Sequence, residues 1–124
     1  MQGSFGCENT VRSIVQKCNA AGVEFEELSG RCPMVFRVSS ESNSLRVSVG
    51  GEWAVVSSPL GFEVHIIDDA EAIGGAVVNI LKAVDAKQGN IRRNILGRKL
   101  VVLEGVSFVG RVVDEHLFRQ AMVL

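Results

Sequence analysis

Met34-Val35-Phe36-Arg37-Val38, Leu45-Arg46-Val47-Ser48-Val49 and Phe62-Glu63-Val64-His65-Ile66 each place apolar residues at every second position. Successive side chains on an extended chain point to opposite sides, so each stretch builds one apolar face and one polar face. Turn formers separate the stretches: Glu41-Ser42-Asn43, Gly50-Gly51 and Pro59-Leu60-Gly61. The pattern predicts an antiparallel meander with one face buried.

Working outward, Trp53 to Ser57 reads as a further strand of the meander. If Gly50-Gly51 is a two-residue turn, Ala54 and Val56 join the core and Trp53 faces out. If Gly50-Gly51-Glu52 forms a loop with a bulge, Trp53 and Val55 turn inward. A buried indole covers far more apolar area, and that is the expectation. Val23 to Leu28 alternates imperfectly and is a strand or an irregular lead-in, its acids Glu24, Glu26 and Glu27 suiting a sheet edge.

Helices flank this core. Val11, Ile14, Val15 and Cys18 recur at helical spacing and predict a helix from about Glu8 to Ala21, capped by Asn9 or Thr10 and stopped by Gly22, with residues 1–7 frayed. Asp68 and Asp69 cap a second helix with Glu71 in its first turn, and Ile73, Val77, Leu81 and Val84 form its apolar stripe. Gly74 and Gly75 lower helix propensity by roughly 1 kcal/mol each relative to Ala, which points to close packing on that face.

Lys87 to Asn90 ends the second helix, and Asn90 to Arg98 reads as a basic linker anchored by Ile95 and Leu96, with room for a helical turn. Leu100 to Leu103 is apolar throughout, as in a strand covered on both sides. A tight turn at Glu104-Gly105 then leads to a partner strand, Val106 to Val113, with Gly110 suited to a bulge. Asp114 caps a last helix whose apolar face is Leu117, Phe118, Ala121 and Met122.

The order is helix, three or four strands, helix, two strands, helix. It predicts a single α+β domain over residues 1–124: an antiparallel sheet, made of the meander plus a C-terminal hairpin, with its helices packed on one face. This element order is similar to that of the type III secretion chaperones, small homodimers that bind an effector segment; the similarity is one of order, carried by no residue motif.

At 124 residues the chain is long enough to bury a core without staples. A hydrophobic fraction of 47% and a mean hydropathy of +0.25 leave apolar residues for the surface, which hints at self-association. The net charge of −1 excludes a polyanion or polycation. Cys7, Cys18 and Cys32 are odd in number and form no CxxC pair, which argues against a disulfide framework or structural zinc and for a reducing cytoplasm. No secretory signal is expected, and the longest apolar run, Leu100 to Leu103, is too short to cross a membrane.

Chemistry is sparse. Arg37, Arg46, Glu63 and His65, with Ser39 and Ser48, share the polar face of the meander and outline a floor for an anion, with Glu63 able to orient His65 as a base. The alternative is a solvated face with cross-strand ion pairs. Asp114, Glu115 and His116 resemble a metal cluster, but consecutive helical residues diverge and capping explains the acids. Asp68, Asp69 and Glu71 are explained likewise. Lys82 to Lys99 holds six bases against Asp85, a local charge of +5 that leaves −6 elsewhere. Arg92, Arg93, Arg98 and Lys99 there suit phosphate, yet no Phe, Tyr or Trp accompanies them for base stacking; a solvated linker, or a patch meeting Glu24, Glu26 and Glu27 of a partner subunit, is the better reading. Phosphate-loop, nucleophile-elbow and HExxH motifs fail to appear.

The expectation is a non-enzymatic, cytoplasmic protein- or peptide-binding module, a homodimer without metal or cofactor. Its interface would use Gly74, Val78, Phe108 and Val109 with Arg92 and Arg93 as rim. A ligand site on Arg37, Arg46, Glu63 and His65 is the alternative, and nucleic-acid binding through residues 82–99 a third.

Overall fold

Alternation becomes one-sided burial in the centre of the sheet. In the computed structural model, which describes residues 2–122, the alternating stretches are β2 (Met34–Ser39), β3 (Ser44–Val49), β4 (Trp53–Ser58) and β5 (Phe62–Ile67), preceded by β1 (Glu24–Ser29). Each pairs antiparallel with the next. Phe36, Val38, Leu45, Val47, Val49, Ala54, Val56, Phe62, Val64 and Ile66 are all buried, while the residues between them point the other way.

Trp53 corrects the expectation of a buried indole. Val49 lies opposite Ala54, and the Gly50 N–H donates to the Trp53 carbonyl at 3.1 Å, so the turn centres on Gly51-Glu52. That register sends Ala54 and Val56 into the core and leaves Trp53 39% exposed on the opposite face. The indole lies against Gly50, where any Cβ would collide with it.

The helices α1 (Gln2–Ala21), α2 (Ala70–Asp85) and α3 (Glu115–Met122) pack on the apolar side of the sheet. Asp69 caps α2, its carboxylate accepting from the Ala72 N–H at 2.8 Å. Ile73, Val77, Ile80, Leu81 and Val84 are buried on this helix. The start of α1 is earlier than expected: Met1 lies outside the described residues, but Gln2 to Cys7 are helical rather than frayed. Docking extends it. Cys7 Sγ donates to the Val49 carbonyl at 3.3 Å, and Thr10 Oγ1, in mid-helix and not at a cap, donates to the Gly51 carbonyl. At its other end the Val23 N–H closes the helix on the Cys18 carbonyl at 2.8 Å.

The C-terminal region departs most from expectation. The supposed linker is β6 (Gly89–Arg93), which forms a hairpin with β7 (Lys99–Leu103) around an Asn94 whose side chain accepts from the Leu96 and Arg98 N–H groups at 2.9 Å. The expected strand 106–113 contracts to β8 (Gly110–Val112), reached through a six-residue connection rather than a tight turn. The short strand sits between β5 and β7 and joins the two halves, giving the order β1-β2-β3-β4-β5-β8-β7-β6. β7 is not covered on both sides: Val101 and Leu103 are buried, Leu100 and Val102 half-buried. Asp114 caps α3 by accepting from the Leu117 N–H at 3.0 Å, and Phe118 meets Phe62 edge-on with centroids 5.6 Å apart.

α1 and α2 touch where α2 carries Gly74. A Cβ there would meet the Ser13 backbone carbonyl at 2.9 Å, and Lys17 bridges to Glu71 at 2.6 Å beside it. Gly75 has open space at the same point, with no heavy atom within 4 Å. Gly74→Ala should therefore lower stability by about 1–3 kcal/mol through overpacking. Gly75→Ala should raise it by up to about 1 kcal/mol through helix propensity. Urea denaturation midpoints of the two variants check both signs.

Candidate interaction surface

The helices cover one face of the sheet, so the other is open, and pair register orders what lies on it. Glu26 stands opposite Arg37, Arg37 opposite Arg46, Arg46 opposite Ser57, Ser57 opposite Glu63, Glu63 opposite Arg111, Arg111 opposite Leu100 and Leu100 opposite Arg92. This one row crosses all eight strands. A second row runs Val35, Ser48, Val55, His65, and a third is the pair Trp53 and Ile67. The four residues expected to share a face, Arg37, Arg46, Glu63 and His65, do share it.

Their charges are engaged with neighbours. Arg37 pairs with Glu26 at 2.9 Å. Glu63 Oε1 accepts from Arg111 at 2.7 Å and lies 3.0 Å from His65 Nε2. The His65 hydrogen bond, and after it the Arg111 charge, holds the Glu63 carboxyl below its ordinary value of 4.5 despite partial burial. The groups lie on the face away from the helices, without the helical cover that would make them a cleft.

Apolar side chains interrupt this polar floor. Ile67 is 83% exposed, Val109 just before β8 is 52% exposed, and Trp53 joins them, with Val35, Val55, Leu100 and Val102 half-buried. The two edges of the sheet differ in sign: β1 carries Glu24, Glu26 and Glu27 with every residue exposed, and β6 carries Arg92 and Arg93. Residues 82–99 do not form one basic patch. Arg92 lies on the open face, whereas Arg93 lies opposite Lys99 on the helical side, where Lys99 pairs with Glu115. Ile95 and Leu96 stand exposed at the hairpin tip.

Gly74 and Val78, read as interface, are buried, and Gly74 meets α1 of the same chain. Phe108 is half-buried against the core, and Val109 is exposed. Among the described residues no group of three His, Cys, Asp or Glu side chains could hold a metal ion, and no helix is long and apolar enough to cross a membrane. Ile67 and Arg111 were missed on this face, and Glu26, read as an edge acid, pairs with Arg37 of its own chain. Continuing the alternation of Glu63 and His65 by one more step finds Ile67; Glu26 and Arg111 require the register. No family model, curated protein or solved structure matches the chain.

Because its folded value is the lower one, the pairing of Glu63 stabilises the protein above the ordinary carboxylate range, and that contribution is lost as pH falls through the folded midpoint. His65→Ala and Arg111→Ala should each move the Glu63 midpoint up toward 4.5. Carboxyl NMR titration reads the shift, and a midpoint unchanged in both variants contradicts the pairing.

Proposed function

We propose that the chain is a non-enzymatic protein-binding module that works through the open sheet face, and that a second copy of the chain occupies it. The observation that carries the reading is the open face itself, acidic at the Glu26 edge and basic at the Arg92 edge, with Trp53 and Ile67 exposed on the central strands β4 and β5. A two-fold axis along the strands, between β4 and β5, reverses strand order between two facing sheets. It sets Glu26 over Arg92 of the second copy, Ser57 over Glu63, Val35 over Val102, and Trp53 over Ile67. Arg46 falls over Arg111 of the second copy, whose charge Glu63 offsets. Each contact occurs twice, as an isologous interface requires, and sheets so stacked sit about 10 Å apart.

Like-charged edges also disfavour the competing arrangement, in which two β1 strands or two β6 strands extend the sheet side by side. Arg92 and Val109 keep the interface role expected of them, Arg92 as rim and Val109 beside the apolar centre. A cytoplasmic setting goes with this reading, supported by the odd number of cysteines and the absence of a CxxC pair in the sequence.

Sedimentation equilibrium tests the arrangement. Ile67→Glu, which places a charge at both Trp53–Ile67 contacts, should leave a folded monomer. Glu26→Arg and Arg92→Glu should each weaken the dimer by roughly three- to tenfold, as rim ion pairs do. The double exchange should restore it. A dimer indifferent to Ile67→Glu, or a double exchange no tighter than the singles, contradicts the reading.

A further inference from the structure

We propose that Cys7 and Cys32 form a reversible disulfide, with Cys32 as the thiol that reacts first and Cys7 as the thiol that closes the bridge. The two cysteines are 25 positions apart in sequence, and the fold brings them together. Cys7, on α1, is 1% exposed and donates to the Val49 carbonyl at 3.3 Å. Val49 lies opposite Met34, the first residue of β2, and Cys32 is two residues before it in the connection from β1. The Cys7 and Cys32 thiols hydrogen-bond each other there. Cys18, by contrast, is fully buried in the core.

The two thiols differ in access, and this orders the chemistry. Cys32 is exposed and Cys7 is buried, so an oxidant reaches Cys32. The co-reactant is a low-molecular-weight disulfide of the glutathione class. The Cys32 thiolate attacks one of its sulfurs, forming a mixed disulfide and expelling one small thiolate, which takes up the proton that Cys32 lost. The Cys7 sulfur then attacks the Cys32 sulfur, the bond to the second small thiol breaks, and that leaving group takes up the Cys7 proton. Two protein thiols are oxidised and one small disulfide is reduced to two thiols. Burial, and then the neighbouring Cys32, push the Cys7 thiol up to about 11, so the second step is the slow one near neutral pH. The bridge ties the first turns of α1 to the β1–β2 connection, which α1 otherwise meets only by non-covalent contact. It is a redox-dependent staple on the helical layer, separate from the open face.

The test uses the full chain, reduced and then exposed to oxidised glutathione. The wild type should lose the mass of two hydrogens, fall from three labelled thiols to one under denaturing alkylation, and yield a linked peptide containing Cys7 and Cys32. Closure should speed up by about tenfold per pH unit between pH 7 and 9, tracking the Cys7 thiolate. Cys7→Ser should hold glutathione on Cys32; if that variant does not fold, the wild-type pH dependence and peptide map still decide. Glutathione remaining on Cys32 of the wild type, a bridge to Cys18, or no reaction at Cys32 would overturn the proposal.

Discussion

The contact of Ser13 with Gly74 sets how closely α1 approaches α2, and the rest of the helical layer depends on it. α2 is the element that sheet and helix share: Ile73, Val77, Ile80, Leu81 and Val84 are buried along it. With a glycine at the contact, α1 settles beside α2 and reaches the β3–β4 turn through Cys7 and Thr10. Among the described residues the Ser13 hydroxyl finds no hydrogen-bond partner, a cost accepted for the close approach. All three helices are then committed to one side of the sheet.

That commitment leaves the second face to water, and its residues follow the constraint. Charges are laid across it in register, so that Arg37 neutralises Glu26 and Arg111 neutralises Glu63. Pairs so exposed add little to stability individually. In the proposed dimer their larger effect is on association, because charge placement selects among the relative placements of two sheets. The most exposed apolar side chain on the strands, Ile67, stands on β5 beside Trp53 on β4, away from the charged edges. Ile67 gains nothing from burial within its own chain, and an exposed patch of Ile, Trp and Val is the usual mark of a surface that meets another protein.

Much of the fold could be read from residue spacing. The meander followed from alternation in β2, β3 and β5, and both Asp69 and Asp114 act as the caps their positions suggest. β6 was illegible because Gly-Asn-Ile-Arg-Arg has a single apolar residue, and its strand state comes from pairing with β7. The direction of Trp53 depended on one residue of turn length, which apolar area alone does not decide. The early start of α1 was hidden by Gly3 and Gly6, which lower helix propensity. As for the surface, alternation placed Arg37, Arg46, Glu63 and His65 together. Their partners Glu26 and Arg111 lie far away in sequence, and only the strand order β5-β8 brings Arg111 to Glu63. The proximity of Cys7 and Cys32 is likewise a tertiary property.

Trp53 is the single tryptophan of the chain and stands at the start of a central strand on the face assigned to the second copy. Its fluorescence emission, followed across a dilution series alongside the sedimentation-derived dimer fraction, tests the central claim directly. The account predicts a blue shift that rises with the dimer fraction and saturates with it, as the indole leaves water to meet Ile67 of the second copy. A dimer whose tryptophan emission is unchanged from that of the monomer, or a chain that stays monomeric at the highest concentrations, would contradict it.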